Sequence, residues 1–436
     1  RRVMQAAYRP IRIGLLGAGS VGSQVARLLI ENREELAKRV GAELELVGIA
    51  VRNKNAKRDV DLPKELITED AESVILGSDI VIELAGGIEP AKTWIKMALN
   101  AGADVITANK ALIAAHGSEL TALAQQFGAQ LYYEAAVGGA IPIIRPLRAS
   151  LAGDKINRVM GIVNGTTNYI LDQMETTGAS FEDALNEAQA LGYAEADPTA
   201  DVEGFDAASK AAILAGLAFH SEMPVEKVYR EGITSITALQ IETARQAGYT
   251  VKLLAICERA GENGEGLVAR VHPTLIPLDH PLAAVRGAYN AVFVEAESAG
   301  RLMFYGAGAG GKETASAVLG DLVSAAKRHL AGGPGLGDST HADLEVLPVQ
   351  AIFTRFQITL EVVDQPGVLA SVAKQFADND VSVETVAQSA GTDSDLALLT
   401  VMTHSASEAA LERLVAELAK NSSVKKVSSV IRVEGV

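Results

Sequence analysis

The segment Gly17-Ala18-Gly19-Ser20-Val21-Gly22 fits G-x-G-x-x-G, closes an apolar run (IRIGLLG) and opens an amphipathic one (SQVARLLIENREELAKRV). That setting, a strand end followed by a helix start, is what a dinucleotide-binding turn needs. Gly17 permits the tight turn, Gly19 lets the backbone approach a pyrophosphate, and Gly22 lets helix and strand pack closely. The first helical amides, Ser20 and Val21 among them, supply donors and the positive end of the helix dipole. A glycine-rich turn with no ligand is the plainer alternative. The second strand of such a unit ends near Ala50-Val51, where an NAD site carries an acid for the ribose hydroxyls. Here the sequence reads Val51-Arg52-Asn53-Lys54, with Lys57 and Arg58 close by. Arg52 and Lys54 suit a 2′-phosphate, so NADP(H) is expected in preference to NAD(H); a solvated surface loop is the competing reading. Two more strand ends, Glu83-Leu84-Ala85-Gly86-Gly87 and Thr107-Ala108-Asn109-Lys110, bring Ala85, Gly86, Thr107 and Lys110 to the edge where the cofactor crosses.

A second group of reactive types lies further on. Glu195, Asp197, Asp201, Glu203 and Asp206 crowd one short segment, and Lys210 follows Asp206 by four residues. That spacing puts Asp206 and Lys210 on one helix face, and its commonest meaning is a surface ion pair. Gly165-Thr166-Thr167 opens a predicted helix, a ready anion site.

The elements that must position these residues separate into three regions. Residues 1–149 alternate short apolar runs with helix-like stretches, the pattern of βαβ units and a Rossmann-type parallel sheet. Residues 150–347 mix long helical patterns with strand-like runs such as TVKLLAICERA and LVARVHPTLI, an α+β domain with an open sheet. A Gly, Pro, Ser and Asp-rich stretch (AGGPGLGDSTHADLEVLP) is expected to be a mobile linker. Residues 348–436 read strand, helix, strand, strand, helix, strand, a ferredoxin-like order. The chain of 436 residues fits two to four domains at roughly 100–200 residues each.

Composition excludes several classes. A net charge of −15 argues against nucleic-acid binding. One cysteine, Cys257, cannot make an internal disulfide, and the scattered histidines show no ligand spacing. The basic start, Arg1 to Pro10, lacks the apolar core of a signal peptide, and no apolar run approaches membrane-spanning length, so a cytoplasmic location without membrane attachment is expected.

Taken together, Gly17–Gly22, VITANKAL (105–112), GIVNGTTNYIL (161–171) and GYAEADPTADVEGFDAASK (192–210) resemble the homoserine dehydrogenases, and residues 350–436, with the turn DQPGVL (364–369), resemble an ACT domain. The resemblance implies reversible reduction of aspartate semialdehyde to homoserine with NAD(P)H. It implies Lys210 as general acid, Asp206 as its partner and a substrate contact, and Lys110 as a second lysine near the nicotinamide; the sequence does not choose between the lysines, and Lys210 is favoured. It implies that Glu195 and Asp206 contact homoserine; on the residues' own chemistry, Asp201 in the same acidic group suits the ammonium, and the helix start at Gly165 and Thr166 suits the carboxylate. Tyr193 and Gly192 would line the junction with the nicotinamide, and Gly306–Gly311, including Gly308 and Gly310, would close over the cofactor. It implies further a monovalent cation, Na+, on Glu134 and the carbonyls of Val137, Gly139 and Ile141. The ACT-like tail implies an amino-acid effector, threonine, and a homodimer or homotetramer. With only ten residues before the first strand, a kinase fusion known among relatives is not expected.

Three other readings compete. Aspartate-semialdehyde dehydrogenase chemistry needs a cysteine nucleophile, and Cys257 sits in the apolar run KLLAICER. Another NADP-linked dehydrogenase of amino-acid metabolism is the nearest alternative. A non-catalytic sensor of NADPH and an amino acid would need only the two end regions.

Overall fold

A computed structural model describes residues 8–335, 337–391 and 393–435. It divides into two compact units, one of Arg1–Ile156, Ala212–Val225 and Tyr289–Asp343, the other of Asn157–Ala211, Glu226–Ala288 and Leu344–Val436.

The first unit is built on a six-stranded sheet in the order Ile67–Thr68, Leu44–Ala50, Ile11–Leu16, Ile80–Glu83, Asp104–Thr107, Leu131–Tyr132. All pairings are parallel. This is the doubly wound order whose reversal lies beside the first strand, here between Ile11–Leu16 and Ile80–Glu83. The strands are continuous apolar runs because helices cover both faces; in Ile11–Leu16 only Arg12 is not fully buried. Helix Ser20–Glu31 presses Val25, Ala26 and Leu29 into the core. Val318, Leu322 and Ala325 join the same core from helix Gly311–Ala331, nearly three hundred residues later. The sequence patterns place that helix in the middle region, yet its apolar stripe completes the layer over the first sheet.

The expected mobile linker is held at its described residues. Asp338 accepts from Arg148 Nε at 2.6 Å and from the Tyr133 hydroxyl, and Arg328 Nε donates to the Pro334 carbonyl at 2.8 Å. Arg148 is a buried cation and needs an anion, which overrides the flexibility of the glycines.

The second unit is organised around the antiparallel pair Tyr249–Ala260 and Gly266–Pro277. Strand Ile156–Ile162 joins its outer edge, with Arg158 opposite Glu258 and Gly161 opposite Ala255. On the other side Thr274 and Leu275 pair in parallel with Arg432 and Val433, so the sheet runs on into the C-terminal module. That module continues as Val424–Val433, Phe353–Val363, Leu396–Thr403, Val383–Ala390. Helices Val368–Asp378 and Glu408–Leu418 cover it, burying Val372, Phe376, Leu411 and Leu414 against Ile358 and Leu360. The ferredoxin-like reading is therefore observed, but the module is not a bead on a string. Arg270, fully buried, pairs with Glu434 at 2.6 Å and Glu258 at 2.8 Å, and Arg158 pairs with Glu434 at 2.9 Å.

Candidate active site

The glycine sextet turns where the expected cofactor crevice lies. Gly17 has φ +100°, and a Cβ there would meet the Leu84 backbone at 2.9 Å. A Cβ on Gly22 would fall inside contact of the Gly17 carbonyl, whereas at Gly19 it would meet nothing. Two of the glycines are thus required by the fold, and the third leaves room above the helix that Gly19 opens. A pyrophosphate fits that space and those amides.

Glu83, fully buried, organises the neighbouring strand ends. Its Oε1 accepts from the amides of Ala85 and Gly86 at 2.9 and 3.0 Å, and its Oε2 from Thr107 Oγ1 at 2.6 Å. Asn109 caps the helix Lys110–Gln126 through the Leu112 amide at 3.2 Å and donates to the Gly87 carbonyl at 2.6 Å. Lys110 therefore starts a helix whose first turn is tied to the 84–87 loop. Ser20 meets the second glycine turn: a Cβ on Gly311 would stand 2.7 Å from the Ser20 carbonyl, and one on Gly308 would overlap the Asn290 side chain. Gly310 has φ +118°. The turn 306–311 and the sextet thus meet at the start of one helix.

Arg52 and Lys54 are exposed on the loop after Leu44–Ala50. Arg58 is spent on that loop, donating to the carbonyls of Ala56 and Asn53, both at 2.9 Å. A cavity beside it is lined by Lys54, Arg58 and Lys64 but also by Asp59 and Asp61.

In the second unit, the end of strand Ile156–Ile162 holds the acids and Lys210. Lys210 Nζ lies 2.9 Å from Asp206 Oδ2 and donates to the Val163 carbonyl at 2.7 Å. Both side chains are buried, at 8% and 7% exposure, which removes the surface-ion-pair reading. Asn164 Nδ2 donates to Asp201 Oδ1 at 2.7 Å and to Asp206 Oδ2 at 2.9 Å. Of the five crowded acids, the structure brings Asp201 and Asp206 together. Asp197 is exposed and caps its own turn through the Thr199 hydroxyl and amide, which hold its carboxyl below the ordinary range. Glu195 is exposed, its carbonyl held by Gln189 at 2.9 Å. Thr166 Oγ1 donates to the Tyr193 carbonyl at 2.5 Å, and the Tyr193 and Tyr169 rings lie 4.6 Å apart, so the loop with Gly192 (φ +81°) is tied to the start of helix Gly165–Thr177. A Cβ on Gly165 would stand 2.6 Å from the Ala288 carbonyl, so packing alone requires that glycine.

The comparisons with known proteins agree across the chain. The model described as "Homoserine dehydrogenase, NAD binding domain" matches residues 17–134, "Homoserine dehydrogenase" matches 142–323, and "ACT domain" matches 356–422. A homoserine dehydrogenase of Corynebacterium glutamicum is 53% identical over 97% of this chain and 96% of that protein.

The chain belongs to the homoserine dehydrogenase family.

The crystal structure of a homoserine dehydrogenase from Thiobacillus denitrificans is similar with a TM-score of 0.91 at 40% identity, over 98% of this chain and 99% of that one. A hyperthermophilic archaeal homoserine dehydrogenase in complex with NADPH matches with a TM-score of 0.62 at 28% identity, covering 75% of this chain and 100% of that one. As a homoserine dehydrogenase family member the chain is an oxidoreductase acting on a CH–OH group. Its fold is a Rossmann-type sheet, a mixed-sheet substrate domain and an ACT domain. Cys257 is buried with Sγ 3.3 Å from the Ala211 carbonyl, and burial pushes its thiol up to about 12, so it is no nucleophile.

The segment expected to hold a monovalent cation has a clear local logic. Glu134 is buried, its Oε1 accepting from the amides of Ile143 and Ile144 at 2.7 and 2.8 Å and its Oε2 from Arg145 at 2.8 Å. Gly139 has φ +58°, and Ile141 donates to the Gly138 carbonyl at 2.9 Å. Three main-chain amides thus engage the carboxylate that the sequence reading assigns, with the carbonyls of Val137, Gly139 and Ile141, to a monovalent cation. Among the described residues no group of three or more His, Cys, Asp or Glu could hold a metal ion, and no helix is long and apolar enough to cross a membrane.

Sequence reasoning missed Glu83, Asn109, Val163 and Asn164. Glu83 was legible in part, as an acid ending an apolar strand. Asn164 carried a cap signal, Asn before a helix start, but nothing in its spacing gave its reach to Asp201, thirty-seven residues on.

Proposed function

We propose that this chain catalyses the reversible reduction of L-aspartate 4-semialdehyde to L-homoserine, with NADP(H) as the preferred cofactor. The observation that carries it is the buried Asp206–Lys210 pair beside Val163 and Asn164. When bound, the nicotinamide supplies the hydride. Gly17, Gly19, Ser20, Val21 and Gly22 hold the pyrophosphate, with Gly308 and Gly310 closing the far side. Ala85, Gly86, Thr107 and Gly192 line the nicotinamide's path. Arg52 and Lys54, exposed and not spent on their own loop, face the 2′-phosphate; NAD(H) lacks that contact and serves less well.

Lys210 holds the proton that the new alkoxide takes, and Asp206 keeps the ammonium in place. Lys110 stands as the second cation near the reacting oxygen. Asp201, Asp206 and Glu195 receive the substrate ammonium; the amides of Gly165 and Thr166 receive its carboxylate, and Tyr193 closes the pocket. A Na+ ion on Glu134 and the carbonyls of Val137, Gly139 and Ile141 would stiffen this loop. The ACT domain supports threonine as a feedback effector, and with it a homodimer or homotetramer. A cytoplasmic location is part of the same reading.

The test is NADPH oxidation with aspartate semialdehyde, wild type beside Lys210→Ala. The expected result is turnover in the first and a loss of about 100-fold or more in kcat in the second, with NADPH affinity unchanged. NADPH binding without turnover of this aldehyde would favour the sensor reading.

A further inference from the structure

Four observations converge on one dipeptide, Val163-Asn164, just past strand Ile156–Ile162. The Val163 carbonyl takes Lys210 Nζ at 2.7 Å. Asn164, 6% exposed, gives one amide hydrogen to Asp201 Oδ1 at 2.7 Å and one to Asp206 Oδ2 at 2.9 Å. Its own Oδ1 accepts from Thr167 N at 2.8 Å and Thr167 Oγ1 at 2.9 Å, so flipping the amide would lose both carboxylate bonds and the bond from the Thr167 amide. Asp206 Oδ2 in turn receives both Asn164 Nδ2 and Lys210 Nζ.

Two carboxylates brought this close repel each other, and one of them must also orient a lysine. A neutral donor with two hydrogens is the group that holds both without cancelling either charge. A lysine or arginine there would compete with a cationic ligand for the same acids. We propose that Asn164 is a positioning residue of the reaction: it sets the spacing of Asp201 and Asp206, and through Asp206 the direction of the Lys210 ammonium. The proposal rests on the reading of Lys210 and Asp206 given under Proposed function, and it assigns Asn164 more than its cap on helix Gly165–Thr177.

The cap and the bridge are separable. Asn164→Asp and Asn164→Ser each keep an oxygen for the Thr167 amide but lose the double donor, the first adding a charge and the second none. The expected result is that Asn164→Ser folds with wild-type NADPH affinity and a thermal midpoint close to wild type, and Asn164→Asp with a lowered midpoint because a third carboxylate joins the buried pair, while in both kcat falls about 100-fold and KM changes less than kcat. Asn164→Ala would lose the cap as well and show a lowered midpoint. If Asn164→Ser keeps the midpoint and also turns over within threefold of wild type, Asn164 is only a cap and the proposal is overturned. Lys210→Ala, run in parallel, keeps the two readings apart. An active Lys210→Ala overturns the assignment of Lys210 itself; an inactive Lys210→Ala with active Asn164 variants overturns only the bridge.

Discussion

At the scale of single residues, two buried lysines show how environment divides one side chain between roles. Lys210 has a carboxylate partner and a carbonyl. Lys252, 1% exposed, donates to the Val285 carbonyl at 2.6 Å, while Asp172 and Glu175 beside it are engaged by Arg286. Burial lowers Lys252 to about 8. A folded-state value below the unfolded one means that the native protein binds fewer protons between about pH 8 and pH 10.5, so stability rises with pH across that window. Below it the buried charge costs about 3 kcal/mol. Lys252→Met should therefore gain about 1–3 kcal/mol at pH 7, a gain that shrinks towards pH 10. The Val285 carbonyl keeps its bond from Asn168 at 3.1 Å. Denaturant unfolding at the two pH values checks this, and an equal effect at both would show that packing, not charge, sets it. None of this was legible in the run TVKLLAIC, where Lys252 reads as a polar interruption of a strand.

At the scale of elements, the glycine turns separate fold from ligand. Gly22 faces the Gly17 carbonyl, so Gly22→Ala must push helix Ser20–Glu31 away from the strand. Gly19 has φ −76° and open space around its Cβ position, so Gly19→Ala suits the backbone. The expected outcome for Gly19→Ala is an unchanged thermal midpoint with NADPH affinity lowered about 10-fold or more. Gly22→Ala should lose both, by about 1–3 kcal/mol in stability. Calorimetry and NADPH titration read the two effects apart. The sextet and its flanking strand and helix were legible because the pattern is local. The second turn was legible as a turn, but its meeting with Ser20 was not, since that depends on a helix far along the chain packing back onto the first sheet.

At the scale of the molecule, the C-terminal module shares both a sheet and a charge network with the substrate domain. Burial pushes the Glu434 carboxyl up, but Arg270 and Arg158 outweigh this and hold it below the ordinary range. The stabilisation it brings is complete above its unfolded value near 4.5 and is lost as pH falls through the lower folded value. Glu434→Ala leaves the buried Arg270 with Glu258 as its carboxylate partner and should cost about 3–5 kcal/mol at pH 7. The wild-type advantage over Glu434→Ala should shrink on acidification, measured by unfolding at pH 7 and in mild acid; a pH-independent difference would point to packing. Cutting the chain after Leu347 would remove the same carboxylate and bare a strand edge. Regulation is therefore better dissected by point substitutions in the ACT domain than by deletion.

What the sequence by itself determined were the local matters: the nucleotide turn, the βαβ alternation, the βαββαβ tail, and the motifs that carry the family. Each depends on residues within a few turns or strands of one another, where propensity and periodicity act directly. Tertiary structure alone decided which of five acids meet, which glycines are needed for packing, and how Glu434 reaches Arg270 and Arg158. Those outcomes depend on buried charges finding partners across tens to hundreds of residues, and spacing along the chain does not encode such distances.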